Sequence, residues 1–243
     1  FVIAFTGEIY NFEALRRQLE KAATGAVRWR GHSDTEVMLA AFEEWGIEEA
    51  LERFAGMFAF ALWDRRERRL HLARDRIGEK PLYYGWSKGA FLFGSELKAL
   101  RAHPAFGAEI DRGAITLLLR HNYVPAPHTI YKGIRKLLPG TLATLTRDQA
   151  RRREEPSMSH YWSLGEVAGR GIEQRATFND AEALAQLDKL LREAVAQQMV
   201  ADVPLGAFLS GGVDSSTIVA LMQAQSSRPV KTFTVGFLGK GYN

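Results

Sequence analysis

The sequence contains no cysteine, which excludes disulfides, thiolate metal sites and a cysteine nucleophile within its 243 residues. It also lacks any apolar run approaching the roughly 20 residues of a spanning helix, so no membrane partner is expected. An excess of one charge is missing as well: 32 Lys and Arg stand against 28 Asp and Glu, a formal charge of +4. The basic residues are scattered apart from Arg151, Arg152 and Arg153, and no nucleic-acid partner is expected. The six histidines show no ligand-like spacing. No secretory leader is recognisable, which makes the cytoplasm the expected location. What is present is ordinary for a globular protein of one large domain or two modest ones, 46% hydrophobic and 25% charged.

Both ends fall within core-like segments. Phe1 to Phe5 reads as a buried strand with no initiator Met before it, and the chain closes at Gly241-Tyr242-Asn243, just after the strand-like run Thr232 to Phe237. The chain is therefore expected to be an internal piece of a longer protein.

Local patterns divide it in two. Asn11 is placed to cap a helix with Leu15 and Leu19 on one face. Ser33, with Glu36 three residues on, has the pattern of a capping box for a helix through Val37 and Ala41 to Trp45, which Gly46 ends. From Gly56 to Asp64 both alternating sets of side chains are apolar, which predicts a strand covered on both faces. Further strands are expected at Leu70 to Ala73, Leu82 to Trp86 and Ala90 to Phe93. Doubly covered strands with paired helices imply two packed sheets between helical layers. Polar residues 147–174 read as a linker anchored by Tyr161-Trp162. Beyond it, Asn179 and Glu182 form a second cap-like pair before a helix with Leu184, Leu187, Leu191, Val195 and Met199 on one face. Leu205 to Leu209, a helix from Ser215 to Gln225 and Lys231 to Gly236 make a βαβ unit, hence the start of a parallel sheet.

Ser210-Gly211-Gly212-Val213-Asp214-Ser215-Ser216 joins that strand to that helix. Two glycines let the backbone approach a ligand, and the N–H groups of a helix start favour an anion. No lysine is present and the spacing is not that of a kinase-like phosphate loop. Serine donors with one aspartate suit pyrophosphate held together with Mg²⁺, Asp214 serving the metal. The plainer alternative is an ordinary tight connection.

The complete string resembles the signature of the ATP pyrophosphatases, which adenylate a carboxylate and release pyrophosphate. With Asp202 to Gly206 before it and Thr232 to Phe237 after it, the resemblance narrows to the asparagine synthetase family. That implies ATP contacts at Leu209, Ser210, Gly211, Gly212, Asp214, Ser215, Ser216, Val235 and Gly236. The N-terminal part resembles the family's class II glutamine amidotransferase domain through Thr6 to Asn11, Ser33 to Val37, Gly56 to Asp64, Arg74 to Gly78 with Lys80 to Tyr84, and Phe93 to Leu100. The implied fold is α+β followed by α/β: a four-layer αββα glutaminase sandwich over 1–165, then the beginning of a parallel-sheet nucleotide-binding domain over 166–243.

By resemblance Thr6, Gly7, Glu8 and Asp34 bind glutamine. Asp34 would take its α-ammonium, and Thr6 and Gly7 would form the catalytic oxyanion site. Asp34 also suits the first turn of a helix, and Glu8 an exposed turn. Arg74, Asp75 and Lys80 read as structural, Tyr83 and Tyr84 as core. Two features depart from the family. Its N-terminal Cys nucleophile, and an arginine for the glutamine carboxylate, belong to a segment this sequence does not contain. Thr6 replaces the usual Asn, which is expected to weaken the oxyanion site. The implied activity is ATP-dependent, glutamine-hydrolysing amidation of aspartate to asparagine, with ATP, Mg²⁺, glutamine and aspartate as its small molecules and a homodimer left open. The alternatives are a relative amidating another carboxylate such as a sugar acid, a closer of β-lactam rings, or a silent nucleotide-binding homologue.

Overall fold

The computed structural model describes residues 1–22, 28–201 and 203–236. It contains two compact units, Phe1–Glu173 and Gln174–Asn243. The first runs β1 (Val2–Ile9), α1 (Phe12–Ala22), α2 (Asp34–Trp45), α3 (Ile47–Arg53), β2 (Gly56–Asp64), β3 (Arg69–Arg74), β4 (Tyr83–Ser87) and β5 (Ala90–Gly94). It continues with α4 (Leu97–Arg101), α5 (Arg112–His121), β6 (Ile134–Lys136), β7 (Thr141–Thr146), α6 (Arg147–Arg152), β8 (Ser157–His160) and α7 (Leu164–Glu173). One antiparallel sheet has the order β1-β2-β3-β7-β8 and the other β5-β4-β6.

The alternation along β2 sets the layers. Phe58, Phe60 and Leu62 are buried against Leu15 and Leu19 of α1, Val37, Met38 and Phe42 of α2 and Leu51 of α3. Each such side chain contributes about 1.5–3 kcal/mol on leaving water. The intervening Ala59 and Ala61 are small and face the second sheet; with Leu72 and Ala143 of their own sheet they pack in one cluster with Tyr84 of β4. The far side of that sheet is covered by Leu97 and Leu100 of α4 against Leu92 and Ile134. Helices, sheet, sheet and helix make the expected αββα sandwich. Lys88 and Gly89, both at positive φ, turn β4 into β5.

Several local expectations are corrected. The Asn11 side chain does not cap α1; its amide bonds Arg53 O at 2.9 Å and accepts from Ala55 N at 3.0 Å, tying β1 to the entry of β2. Ser33 does cap α2, but Glu36 turns outward to accept from Arg30 N and Gly31 N, so the box is not reciprocal. The opening strand is not buried throughout: β1 lies at the sheet's edge, with Val2 54% exposed. Residues 147–174 are not a linker. They supply α6, edge strand β8 and α7, because a strand that pairs on one side with β7 can be polar on the other. Tyr161 anchors the segment by donating its hydroxyl to Arg74 O at 2.7 Å. The boundary expected at 165/166 falls inside α7, and the units divide at 173/174.

In the second unit α8 (Asp180–Gln198) begins with the expected reciprocal box between Asn179 and Glu182. β9 (Gly206–Phe208), α9 (Val213–Ala224) and β10 (Lys231–Phe233) follow, with β9 and β10 parallel. Val195, Leu221 and Met222 form its core, with Leu191 and Met199 packed beside them. Leu184 and Leu187, expected on the same covered face, are 68% and 54% exposed. α9 starts at Val213 rather than Ser215, because extended Gly212 is its N-cap. Asp202 and Phe237 of the matched strings, and the closing Gly241 to Asn243, lie outside the described residues. Among the described residues no helix is long and apolar enough to cross a membrane.

Candidate active site

The first site is built on the edge of β1. Gly7 faces Phe58 of β2. Phe58 spends its own backbone groups on Asp75: its N–H donates to Asp75 Oδ2 at 3.2 Å, and its carbonyl accepts from Asp75 N at 2.8 Å. Gly7 and Phe58 are therefore a pair without mutual backbone bonds, and the Gly7 N–H points away from β2. Ile9, two residues on, points the same way, and its N–H donates to Asp34 Oδ2 at 3.0 Å. An outward amide and a carboxylate thus lie along one strand edge, roughly 7 Å apart by strand geometry. No other residue fits at Gly7: its φ is 136°, and an added Cβ would lie 2.0 Å from Met57 O.

Asp34 is the first residue of α2, where the helix N-terminus favours its negative charge. It is half-buried and braced by the Thr35 hydroxyl at 3.2 Å. Thr6 and Glu8 present exposed side chains on the opposite face of β1 from Ile9. Burial, with the charges of Glu79, Glu8 and Asp75, pushes the Tyr10 phenol up to about 12, so it stays protonated. Burial and the neighbouring Asp75 also raise Glu79.

Beneath this edge lies a network whose charged members bond to backbone. Fully buried Asp75 accepts from the amides of Phe58, Glu79 and Lys80. Arg74 donates to the carbonyls of Lys80, Leu137 and Gly78 at 2.6–2.8 Å, and burial lowers it from its ordinary value. Arg74 and Asp75 thus tie the strands to their turns through backbone groups, Lys80 joining by its own N–H and carbonyl, but nothing local to Asp75 indicates that it orients the partner of Gly7. That follows only from strand register. Tyr84 is core as expected, and Tyr83 packs partly buried beside Leu92 and Ile134.

The second site is the loop between β9 and α9. Gly211 has φ 83°, which permits the reversal. Ser215 Oγ meets Ser210 Oγ at 3.0 Å and donates to Gly212 O at 3.2 Å, closing the loop on itself. Leu209 is tied to β10 through Phe233 O and the Thr234 hydroxyl. Among the described residues no side chain caps α9, which leaves its first amides open beside Gly212, whose own N–H donates to Ser210 Oγ at 3.5 Å. Asp214 and Ser216 are exposed around them, as are Val235 and Gly236 beyond β10. Among the described residues no group of three or more His, Cys, Asp or Glu side chains could hold a metal ion. Asp214 with nearby hydroxyls fits a different donor set, that of Mg²⁺ held mostly by phosphate oxygens and water.

These features define a two-part protein, an αββα sandwich with an outward amide and a carboxylate on one strand edge, and a βαβ unit whose helix start is open. The chain belongs to the glutamine amidotransferase domain family, whose model matches residues 1–162, and residues 186–243 match the asparagine synthase family. It is 34% identical to asparagine synthetase [glutamine-hydrolyzing] 3 of Bacillus subtilis, covering 98% of this chain and 37% of that protein. It is 38% identical to a putative asparagine synthetase [glutamine-hydrolyzing] of Mycobacterium bovis, covering 100% and 36%. A putative asparagine synthetase [glutamine-hydrolyzing] 2 of Methanocaldococcus jannaschii is 33% identical, over 98% and 44%. The chain spans less than half the length of these relatives.

Proposed function

We propose that the protein containing this chain is a glutamine-hydrolysing asparagine synthetase: it transfers the amide nitrogen of glutamine to aspartate at the expense of ATP. The observation that carries the reading is the pairing, on one strand edge, of the outward Gly7 amide with the Asp34 carboxylate. Glutamine laid along β1 would set its α-ammonium against Asp34, with Glu8 as a further contact, and its carboxamide at Gly7 and Thr6. A preformed amide aimed at a developing oxyanion needs no reorganisation as charge builds. The attacking thiolate comes from outside these residues, since the chain has no cysteine.

In the second unit, ATP would place its pyrophosphate at the amides of Gly212 and the α9 start, with Ser210, Ser215 and Ser216 as donors. Leu209, Val235 and Gly236 would line the nucleotide, and Asp214 would hold Mg²⁺. The bound ion would neutralise charge on the departing pyrophosphate. Attack of the aspartate side-chain carboxylate on the α-phosphate would release pyrophosphate and form the acyl-adenylate; ammonia, freed with glutamate by glutamine hydrolysis in the first unit, would then displace AMP to give asparagine. Shielding both from water makes the joined arrangement useful.

The test is to supply the full-length protein with amide-¹⁵N glutamine, aspartate and ATP and to follow the label. ¹⁵N-asparagine with stoichiometric AMP and pyrophosphate is the expected result. Label in another amide identifies a different acceptor carboxylate, and ATP binding without pyrophosphate release marks a silent homologue.

A further inference from the structure

A site that uses glutamine must bind a carboxamide, and the groups assigned so far to its reacting end are donors. Gly7 N–H and the Thr6 hydroxyl can both address the carbonyl oxygen. Donors alone favour a carboxylate, because bonds to an ionised acceptor are the stronger ones. Such a site would hold the product glutamate better than the substrate. An acceptor for the amide NH₂, in surroundings that disfavour charge, is still needed.

The structure supplies both beside Thr6. A cavity of about 160 Å³ is lined by Ala4, Phe5 and Thr6 of β1, Ala59, Phe60 and Ala61 of β2, Leu82, and Phe93-Gly94-Ser95 at the end of β5. It exists because the side chains facing it from β1 and β2 are small. Thr6 and Ser95 bring the only side-chain hydrogen-bonding groups of this lining. Neither hydroxyl forms a hydrogen bond among the described residues. The other lining side chains are apolar and offer an ionised carboxylate no cation and no further side-chain donor. We infer that Ser95 is a substrate-contacting specificity residue whose Oγ accepts a hydrogen bond from the glutamine carboxamide NH₂, while Gly7 and Thr6 hold the carbonyl. The inference rests on the glutaminase reading above and names a residue that reading leaves without a role.

The experiment compares two substrates in the full-length protein, glutamine and glutamate γ-methyl ester. The ester keeps the carbonyl and lacks the N–H donors, so it has no use for the acceptor. Ser95→Ala should lower kcat/KM for glutamine roughly tenfold, the worth of one hydrogen bond. Ester hydrolysis and ammonia-dependent asparagine synthesis should stay within about twofold of wild type, since one neutral contact is removed. Ser95→Thr, which keeps a hydroxyl, should recover glutamine use. Equal losses on amide and ester, or no loss on either, would overturn the assignment. If Ser95→Ala does not accumulate, Ser95→Cys, near-isosteric with a weak acceptor, gives the same comparison. A wild-type protein that hydrolyses neither substrate refutes the glutaminase reading itself, whatever Ser95 does.

Discussion

The edge of β1 and the loop at 210–216 both turn backbone amides outward, but different forces hold them. At β1 the direction of the Gly7 amide is imposed from the core. Phe58 is packed between Phe54 and Phe60, with ring centroids 6.1 and 6.0 Å away, and Asp75 takes both its backbone groups. At the loop the geometry is local: one glycine at positive φ, two serine hydroxyls bonded to each other, and an uncapped helix start. The difference teaches where each site is vulnerable. The first depends on residues far from it in sequence, the second on seven consecutive ones.

The largest expected effects test whether the two sites act separately. In the full-length protein, Asp214→Asn should reduce pyrophosphate release by on the order of 100-fold or more while glutamine hydrolysis changes only a few-fold. Asp34→Asn should do the reverse, with free ammonia still supporting amide synthesis. Parallel assays of glutamate and pyrophosphate decide, and loss of the same activity in both variants would break the comparison.

A next effect probes core against surface support. Phe60→Ala, within the cluster that fixes β2, should cost about 3–5 kcal/mol in urea unfolding of this chain. Leu187→Ala on the exposed face of α8 should fall within about 0.5 kcal/mol of zero. A loss at Leu187 as large as that at Phe60 would mean that this face of α8 is covered.

Thr6→Asn sharpens the picture at the proposed oxyanion site. An amide offers two N–H donors where threonine offers one hydroxyl on a shorter, stiffer arm. A missing oxyanion donor typically costs on the order of 10²–10³ in rate, which sets the ceiling for the gain. Glutamine-dependent kcat/KM should rise and ammonia-dependent turnover should not. An unchanged value would mean that Thr6 already serves.

The smallest effect is on pH dependence. Burial, partly opposed by Asp64, lowers His71 below its ordinary value. The folded state then binds fewer protons there than the unfolded chain, so this contribution is present above the unfolded pKa near 6.5 and is lost as pH falls. Replacing His71 with Gln should flatten the decline in Tm between pH 7 and 5. An equally steep decline would remove His71 as its cause.

Legibility followed the range of the interactions. The reciprocal box of Asn179 and Glu182 and the stop at Gly46 were readable because each is settled within one turn of helix. The double burial of β2 was readable because both its faces are apolar. Asn11, Glu36 and residues 147–174 depart from their local pattern because their partners lie elsewhere: Arg53 and Ala55 for Asn11, the amides at 30 and 31 for Glu36, β7 for the polar strand β8. Leu184 and Leu187 repeat at helical spacing, but periodicity does not say what covers a face.

At the sites the same division holds. Residues 210–216 announced themselves in sequence, since a turn, its donors and its acid are contiguous there. Gly7 and Asp34 stand out only through matching strings, and Ser95 lies inside one of them, Phe93 to Leu100. What the sequence determined by itself was therefore the local chemistry: which segments bend, cap, alternate and carry acids or hydroxyls. Only the tertiary structure decided that the Gly7 amide faces outward, that Asp34 reaches the same edge, and that Ser95 shares a cavity with Thr6. Those facts depend on strand register and on the stacking of two sheets, and both are fixed by contacts between residues tens of positions apart.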